Sequence, residues 1–218
     1  MVKLIIFDWD DVFTKGSIKG YFNCYEKTLN SLGKTFGIKE KDIVLKNWGK
    51  QSKIVFSELL EDTSEKIEYA IKIYESDLLT DTFLSCINII EGSKELIIRL
   101  NKEYKLAIAT GINPIVLQRI FLKFNFPNLF SQIVSVYDIG KGKPDPYMLN
   151  LILKTQNIKK EEAIIVGDAT NDMIMGQNAG ILSVAVLTGH LNKKQAEELG
   201  IKYIIENVTQ LESVLEKL

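Results

Sequence analysis

Histidine and cysteine are almost missing from this chain of 218 residues. The one histidine, His190, has no second imidazole with which to form a metal pair. Two cysteines, Cys24 and Cys86, are too few for a disulfide framework and read as reduced, partly buried thiols of a cytosolic protein. Cys24 has neither a histidine nor a clear cation paired with it, so packing is the expected role rather than nucleophilic attack. Long apolar runs are also absent. The N-terminal MVKLIIFDWDD turns acidic far too early for a membrane span or a signal peptide. Charge of one sign does not dominate: the formal net charge is −1, which supplies no global field toward nucleic acid or an anionic membrane. The expectation is a cytoplasmic protein, monomer or homodimer, with no nucleic-acid or membrane partner.

What the chain does contain is an ordinary globular balance, 46% hydrophobic and 25% charged. Short apolar runs recur at Lys3–Asp8, Lys105–Thr110, Gln132–Val136, Ala163–Asp168 and Ile181–Val186, with a weaker one at Tyr203–Ile205. Such Ile- and Val-rich runs are the pattern of strands buried on both faces. Helical periodicity lies between them, at Ser93–Glu103, Pro114–Phe124, Pro146–Gln156, Asp172–Ala179 and Lys193–Leu199, and Val208–Leu218 closes the chain as a further helix. Alternation of strand and helix implies an α/β fold with an open, Rossmann-like parallel sheet. One interval breaks the alternation. From Asp8 to Lys105 no strand signal occurs, while Tyr21–Phe36, Asp42–Trp48, Ser52–Leu60 and Ser64–Leu79 carry helical periodicity, punctuated by Gly37, Gly49 and Asp62-Thr63. We therefore expect a core of residues 1–14 and 89–218, with a four-helix cap of residues 15–88 inserted after the first strand and seated over the carboxyl edge of the sheet.

Ligands of open α/β sheets bind at that edge. The first strand ends in Asp8-Trp9-Asp10-Asp11 and the second in Thr110-Gly111-Ile112-Asn113. After the third comes Gly140-Lys141-Gly142-Lys143-Pro144-Asp145-Pro146, and after the fourth Gly167-Asp168-Ala169-Thr170-Asn171-Asp172. Carboxylates from neighbouring strands, Asp8 and Asp168, can share one hard cation, and an oxygen-only donor set suits Mg2+. Such a cation admits a phosphate dianion and polarises its oxygens. A carboxylate, Asp8, can attack phosphorus. Asp10 can protonate the leaving oxygen and later deprotonate water. Thr110 and the groups after it, Gly111 to Asn113, can hydrogen-bond the phosphoryl oxygens, and Lys143 can balance their charge. Asp172 is better placed to orient Lys143 or hold a metal-bound water than to ligate the metal. Lys141 rivals Lys143, but Pro144 restricts the backbone of Lys143 and so fixes where its side chain points.

Together, D8-W-D10, T110-G111, K143-P-D-P146 and G167-D168-x-x-x-D172 resemble the four motifs of the haloacid dehalogenase-like hydrolase superfamily, over essentially the whole chain. The helical insertion resembles the cap of its phosphoglycolate phosphatase-like and β-phosphoglucomutase-like members. The resemblance implies Mg2+ as cofactor, Asp8 as nucleophile, Asp10 as acid/base with its backbone carbonyl on the metal, Thr110 and Lys143 as phosphate ligands, and Asp168 as a metal ligand. Two positions depart from the pattern: Asp11 stands where glycine is usual, and Val12 where threonine is commoner.

The expected activity is hydrolysis of a small-metabolite phosphate monoester through an aspartyl-phosphate. A phosphomutase or phosphotransferase, with a sugar hydroxyl as acceptor, shares the fold. A dehalogenase has no leaving oxygen to protonate and would leave Asp10 idle, and a non-catalytic binding module would have no need of the intact set. In the cap, Glu58–Glu68 reads as a solvated acidic surface. Trp48-Gly49-Lys50 is either a plain turn or a loop that reads substrate through Lys50.

Overall fold

The computed structural model describes all 218 residues. From the N-terminus, β1 (Leu4–Phe7) and β2 (Thr14–Lys15) lead into five helices, α1 (Ser17–Ser31), α2 (Ile38–Lys46), α3 (Ser52–Leu60), α4 (Ser64–Leu78) and α5 (Asp81–Ser85). The chain returns through β3 (Asn88–Ile89) and continues α6 (Ser93–Leu100), β4 (Lys105–Thr110), α7 (Pro114–Phe124), β5 (Gln132–Ser135), α8 (Val136–Ile139) and α9 (Tyr147–Gln156). It finishes β6 (Ala163–Gly167), α10 (Thr170–Ala179), β7 (Leu182–Val186), α11 (Lys193–Glu198), β8 (Tyr203–Ile205) and α12 (Leu211–Leu215).

Six strands form one sheet in the order β5-β4-β1-β6-β7-β8, and every pairing in it is parallel. β1 lies between β4 and β6, so the strand order reverses beside it and the crevice of the fold opens at its end. Alternate β1 side chains enter different layers. Ile5 and Phe7 join a large cluster with Leu96 and Ile97 of α6 and Val116 and Leu117 of α7. Leu4 and Ile6 pack against Met148, Leu149 and Ile152 of α9. A helix layer therefore covers each face, which is why the strands read as continuous apolar runs.

The four expected helices of the insertion are present with shifted ends, and α5 is a short fifth one. α1 starts early, after Gly16 at φ +86°, and stops at a turn through Gly33 at φ +71°. α2 begins at Ile38 because the Glu40 carboxylate accepts the Gly37 amide, closing the helix start with a side-chain cap. The insertion is joined to the sheet by a two-stranded antiparallel ribbon in which Thr14 faces Ile89 and Lys15 faces Asn88. Two residues per strand carry no periodic signal, so the sequence does not announce them. The expected final helix Val208–Leu218 is instead a single 3-10 turn, Val208–Gln210, followed by α12. No helix is long and apolar enough to cross a membrane.

Candidate active site

Trp9 and its two flanking carboxylates fall on opposite sides of the loop after β1. The indole is fully buried among Phe126, Phe121 and Phe13, with ring centroids 4.8, 4.9 and 5.3 Å away. Asp8 and Asp10 both line the cavity between the sheet edge and the inserted helices. An anchored aromatic between two acids fixes where both carboxylates point, because each ring packed in this way resists rotation of the backbone that carries it. Asp11 follows at φ +54°, a left-handed conformation that explains why glycine is usual here and that aspartate tolerates.

Lys143 is buried, and its Nζ lies 2.6 Å from Asp8 Oδ1 and 2.6 Å from Asp172 Oδ1. Burial alone would push the ammonium toward neutrality. The Asp172 and Asp8 carboxylates reverse that and hold it above the usual lysine range. Lys141 lies instead over the ring of Tyr147, 5.0 Å from its centroid. Asp172 is the third residue of α10 and accepts the Ala169 amide at 3.1 Å, which is why α10 begins at Thr170, two residues before the expected start. Gly167 has no room for a side chain: a Cβ there would lie 2.4 Å from that of Asp172.

Asp168 is fully buried. Its Oδ2 accepts the His190 backbone amide at 3.2 Å, and its Oδ1 has no partner. Burial, then the Asp172, Asp8 and Asp11 charges, hold its carboxyl well above the usual range. Asp10 Oδ1 is likewise buried without a partner, and burial plus the Asp11 and Asp8 carboxylates push Asp10 up to about 8. Asp11 is pushed up to about 7, by burial and then by Asp8. Carboxylate oxygens of Asp8, Asp168 and Asp172 lie within 4.8 Å of one another. Crowded, orphaned carboxylate oxygens of this kind suit a small oxygen-seeking divalent cation.

Thr110 ends β4, buried, with its Oγ1 accepting the Ile112 amide at 3.2 Å, so its hydroxyl proton is free for the cavity. Asn113 caps α7 by accepting the Ile115 amide at 2.9 Å, which leaves its NH2 uncommitted. Gly111, Asn113 and Lys50 also line the cavity. The Trp48–Lys50 loop reaches the sheet edge directly. Gly49, at φ +80°, sits so close that a Cβ on Gly111 would come 2.9 Å from its Cα, and one on Gly142 would come 3.0 Å from its carbonyl oxygen. Asn171 donates to the Trp48 carbonyl at 3.1 Å. Lys50 Nζ donates to Asn47 Oδ1 at 3.0 Å.

Two residues enter the site that the motifs did not single out. The Tyr21 hydroxyl, on α1, donates to Asp10 Oδ2 at 3.0 Å and is buried. Its only sequence signal is its place early in the first inserted helix. His190 packs against Trp48, 4.6 Å between ring centroids, with Nε2 3.8 Å from Asp11 Oδ2. It thus joins Asp11 and Asp168 in a second close group of potential ligands, which a search for histidine pairs overlooks. Cys24 is buried, its thiol pushed up to about 12 mainly by burial, as a packed thiol should be.

The motif order and the geometry agree with a family profile. The profile described as haloacid dehalogenase-like hydrolase matches residues 5–186. This chain belongs to the haloacid dehalogenase-like hydrolases. Among curated relatives it is 32% identical over 131 residues to a glyceraldehyde 3-phosphate phosphatase of Pyrococcus furiosus, which covers 59% of the chain and 55% of that protein. It is 29% identical over 123 residues to a pyrophosphatase PpaX of Halalkalibacterium halodurans, covering 56% and 57%. The chain thus spans a little over half the length of these relatives. Among solved structures, a hydrolase from Pseudomonas syringae superposes with a TM-score of 0.82 at 21% identity, covering 100% of this chain and 99% of that one, a likeness of fold.

Proposed function

We propose that this family member is a Mg2+-dependent phosphatase acting on a small phosphate monoester through an aspartyl-phosphate, with residues 1–14 and 89–218 as catalytic core and 15–88 as cap. The observation that carries this reading is the meeting of Asp8, Asp10, Thr110 and Lys143 on one cavity wall, drawn from three separate loops and beside the unpartnered Asp168 Oδ1. Asp8, Asp168 and the backbone carbonyl of Asp10 would hold the metal, which when bound supplies charge neutralisation for an incoming dianion. Asp172 keeps Lys143 in place from behind.

Asp8 attacks phosphorus, forming the acyl-phosphate as the P–O bond to the leaving group breaks. Asp10, lining the cavity two residues past the nucleophile, carries the proton that the leaving oxygen needs. Tyr21 holds the carboxyl in place. The same carboxyl, once deprotonated, takes a proton from the water that hydrolyses the aspartyl-phosphate. Thr110, the Gly111 amide, Asn113 and Lys143 hold the phosphoryl oxygens, and Lys50 lies on the wall as a hydrogen-bond donor to the rest of the ester. The protein works as a cytoplasmic enzyme. Asp8→Asn tests the reading: phosphate release from p-nitrophenyl phosphate should fall to background while the melting temperature holds. Wild-type release from a folded Asp8→Asn protein would overturn the mechanism.

A further inference from the structure

Asn47 is buried, polar and without a part in the proposed chemistry, yet it lines the cavity. It follows the last residue of α2. Its Nδ2 donates to the Ile43 carbonyl at 2.9 Å and to Glu58 Oε2, on α3, at 2.8 Å. Both amide protons are thus committed, and the amide cannot flip without orphaning buried groups. Its Oδ1 is left to accept from Lys50 Nζ at 3.0 Å. The Asn47 backbone carbonyl also accepts the Lys50 amide at 3.0 Å, so Lys50 is held at its main chain and at its ammonium by one residue.

The charges along this chain of contacts are unequal. Glu58 is paired with Lys46 at 2.7 Å, and its carboxyl is held below its usual range by Lys46 first and by Asn47 next. Asn47 is neutral. Lys50 therefore has no carboxylate partner, and an ammonium that gives one proton to an amide oxygen keeps two more to donate. Lys143, the other lysine on the cavity, already meets Asp8 and Asp172. The loop that carries Lys50 stands against the loops that would hold phosphate. A Cβ on Gly142 would come 3.3 Å from the Lys50 Cα, and one on Gly111 would come 2.9 Å from the Gly49 Cα. A free lysine loses much rotamer freedom when it meets a ligand, and a neighbour that fixes its Nζ beforehand removes that cost.

We propose that Asn47, itself fixed by Glu58, is a positioning residue that holds the Lys50 ammonium on the cavity wall, its charge uncancelled, for an oxygen acceptor on the ester. The proposal rests on the phosphatase reading for the presence of the ester and adds the residues that set its selectivity. A carboxylate in place of Asn47 would hold Lys50 but neutralise it, and alanine would leave it free to swing. The amide does neither.

Binding of two non-hydrolysable phosphonates tests this without turnover. Ethylphosphonate and phosphonoacetate match in length, and only the second carries an acceptor beyond the phosphonate. Their dissociation constants are measured by calorimetry on the full chain with saturating Mg2+, and folding is followed by melting temperature. The wild-type protein should bind phosphonoacetate about tenfold tighter, as one charge-assisted contact allows. Asn47→Ala should cut that preference by about threefold or more, and Glu58→Ala should cut it in the same direction. Glu58→Gln keeps an oxygen acceptor for the Asn47 amide and should hold the preference within about twofold of wild type. No preference in the wild-type protein, or one that survives Asn47→Ala, would overturn the proposal. Should Asn47→Ala fail to fold, the half-buried Glu58 decides: equal losses in Glu58→Ala and Glu58→Gln, or no loss in either, would overturn it as well. Failure of both phosphonates to bind would refute the phosphatase reading and this proposal with it, whereas binding of both with an unmoved preference refutes the proposal alone.

Discussion

Removing the metal while varying pH should expose the cost of crowding acids at the end of β1. Asp10 is pushed up to about 8 and Asp11 to about 7, with burial the largest cause in each case. A carboxyl with a raised folded-state pKa keeps a proton that the unfolded chain has released. Between about pH 4, where an unfolded aspartate titrates, and pH 8, the folded state therefore binds more protons, and stability falls as pH rises. From 3.8 to about 8 is roughly four units. At about 1.4 kcal/mol per unit, Asp10 alone accounts for a loss on the order of 5 kcal/mol across that window. The Asp11 shift shares the same mutual repulsion and does not simply add to it. For a chain of this length, about 5 kcal/mol corresponds to roughly 10–20 °C in melting temperature. A bound divalent cation supplies the missing counter-charge, so the window closes when it is present. Thermal melts in EDTA should therefore decline steadily from pH 5 to 8.5, and the stabilisation conferred by Mg2+ should grow over the same range. Asp10→Asn, which cannot ionise there, should make the EDTA slope shallower, the remainder coming from the raised carboxyls of Asp11 and Asp168. A melting temperature in EDTA that is level or rises with pH, or a Mg2+ increment equal at pH 5 and pH 8, would refute the reasoning.

Asp10→Asn can neither protonate a leaving group nor activate water, so p-nitrophenyl phosphate should give a burst of p-nitrophenol followed by a slow steady state, read by stopped flow. Absence of a burst, with equal losses on aryl and alkyl esters, would remove Asp10 from the acid/base role. Tyr21→Phe deletes one hydrogen bond to Asp10 and should lower kcat on an alkyl phosphate about tenfold, the lower end for a bond to a charged group, with a smaller effect on p-nitrophenyl phosphate, whose leaving group needs no proton. Lys50→Ala should cost roughly 1–3 kcal/mol in kcat/KM on an ester with a hydroxyl in its reach, and far less on phenyl phosphate. Equal losses on both would mean that the lysine supports the loop rather than the substrate.

The strand ends were legible in the sequence because buried parallel strands advertise themselves as short Ile- and Val-rich runs, and the chemistry sits just past them. Asp8, Thr110, Lys143 and Asp168 could be read in order without knowing any distance. The insertion was visible as helical periodicity where the strand alternation lapsed, and its loop at Gly49 was marked by a residue free to turn. The β2–β3 ribbon was not visible, since two-residue strands have no period to detect, and the start of the last helix was misjudged where a 3-10 turn replaced it.

Tertiary structure alone decided the rest. The partners of each lysine, Asp8 and Asp172 together for Lys143 and the Tyr147 ring for Lys141, depend on side-chain direction in a loop. His190 meets Asp11 only because the loops after β7 and β1 converge at the sheet edge, a contact separated by most of the chain. Tyr21 meets Asp10, and Tyr25 and Tyr74 line the cavity, because the insertion folds back over the strand that launched it. Sequence periodicity records which face of an element is buried, but not what that face is buried against. The acids that carry the proposed chemistry are therefore readable from the chain, while the walls that would choose a substrate exist only once the helices have packed.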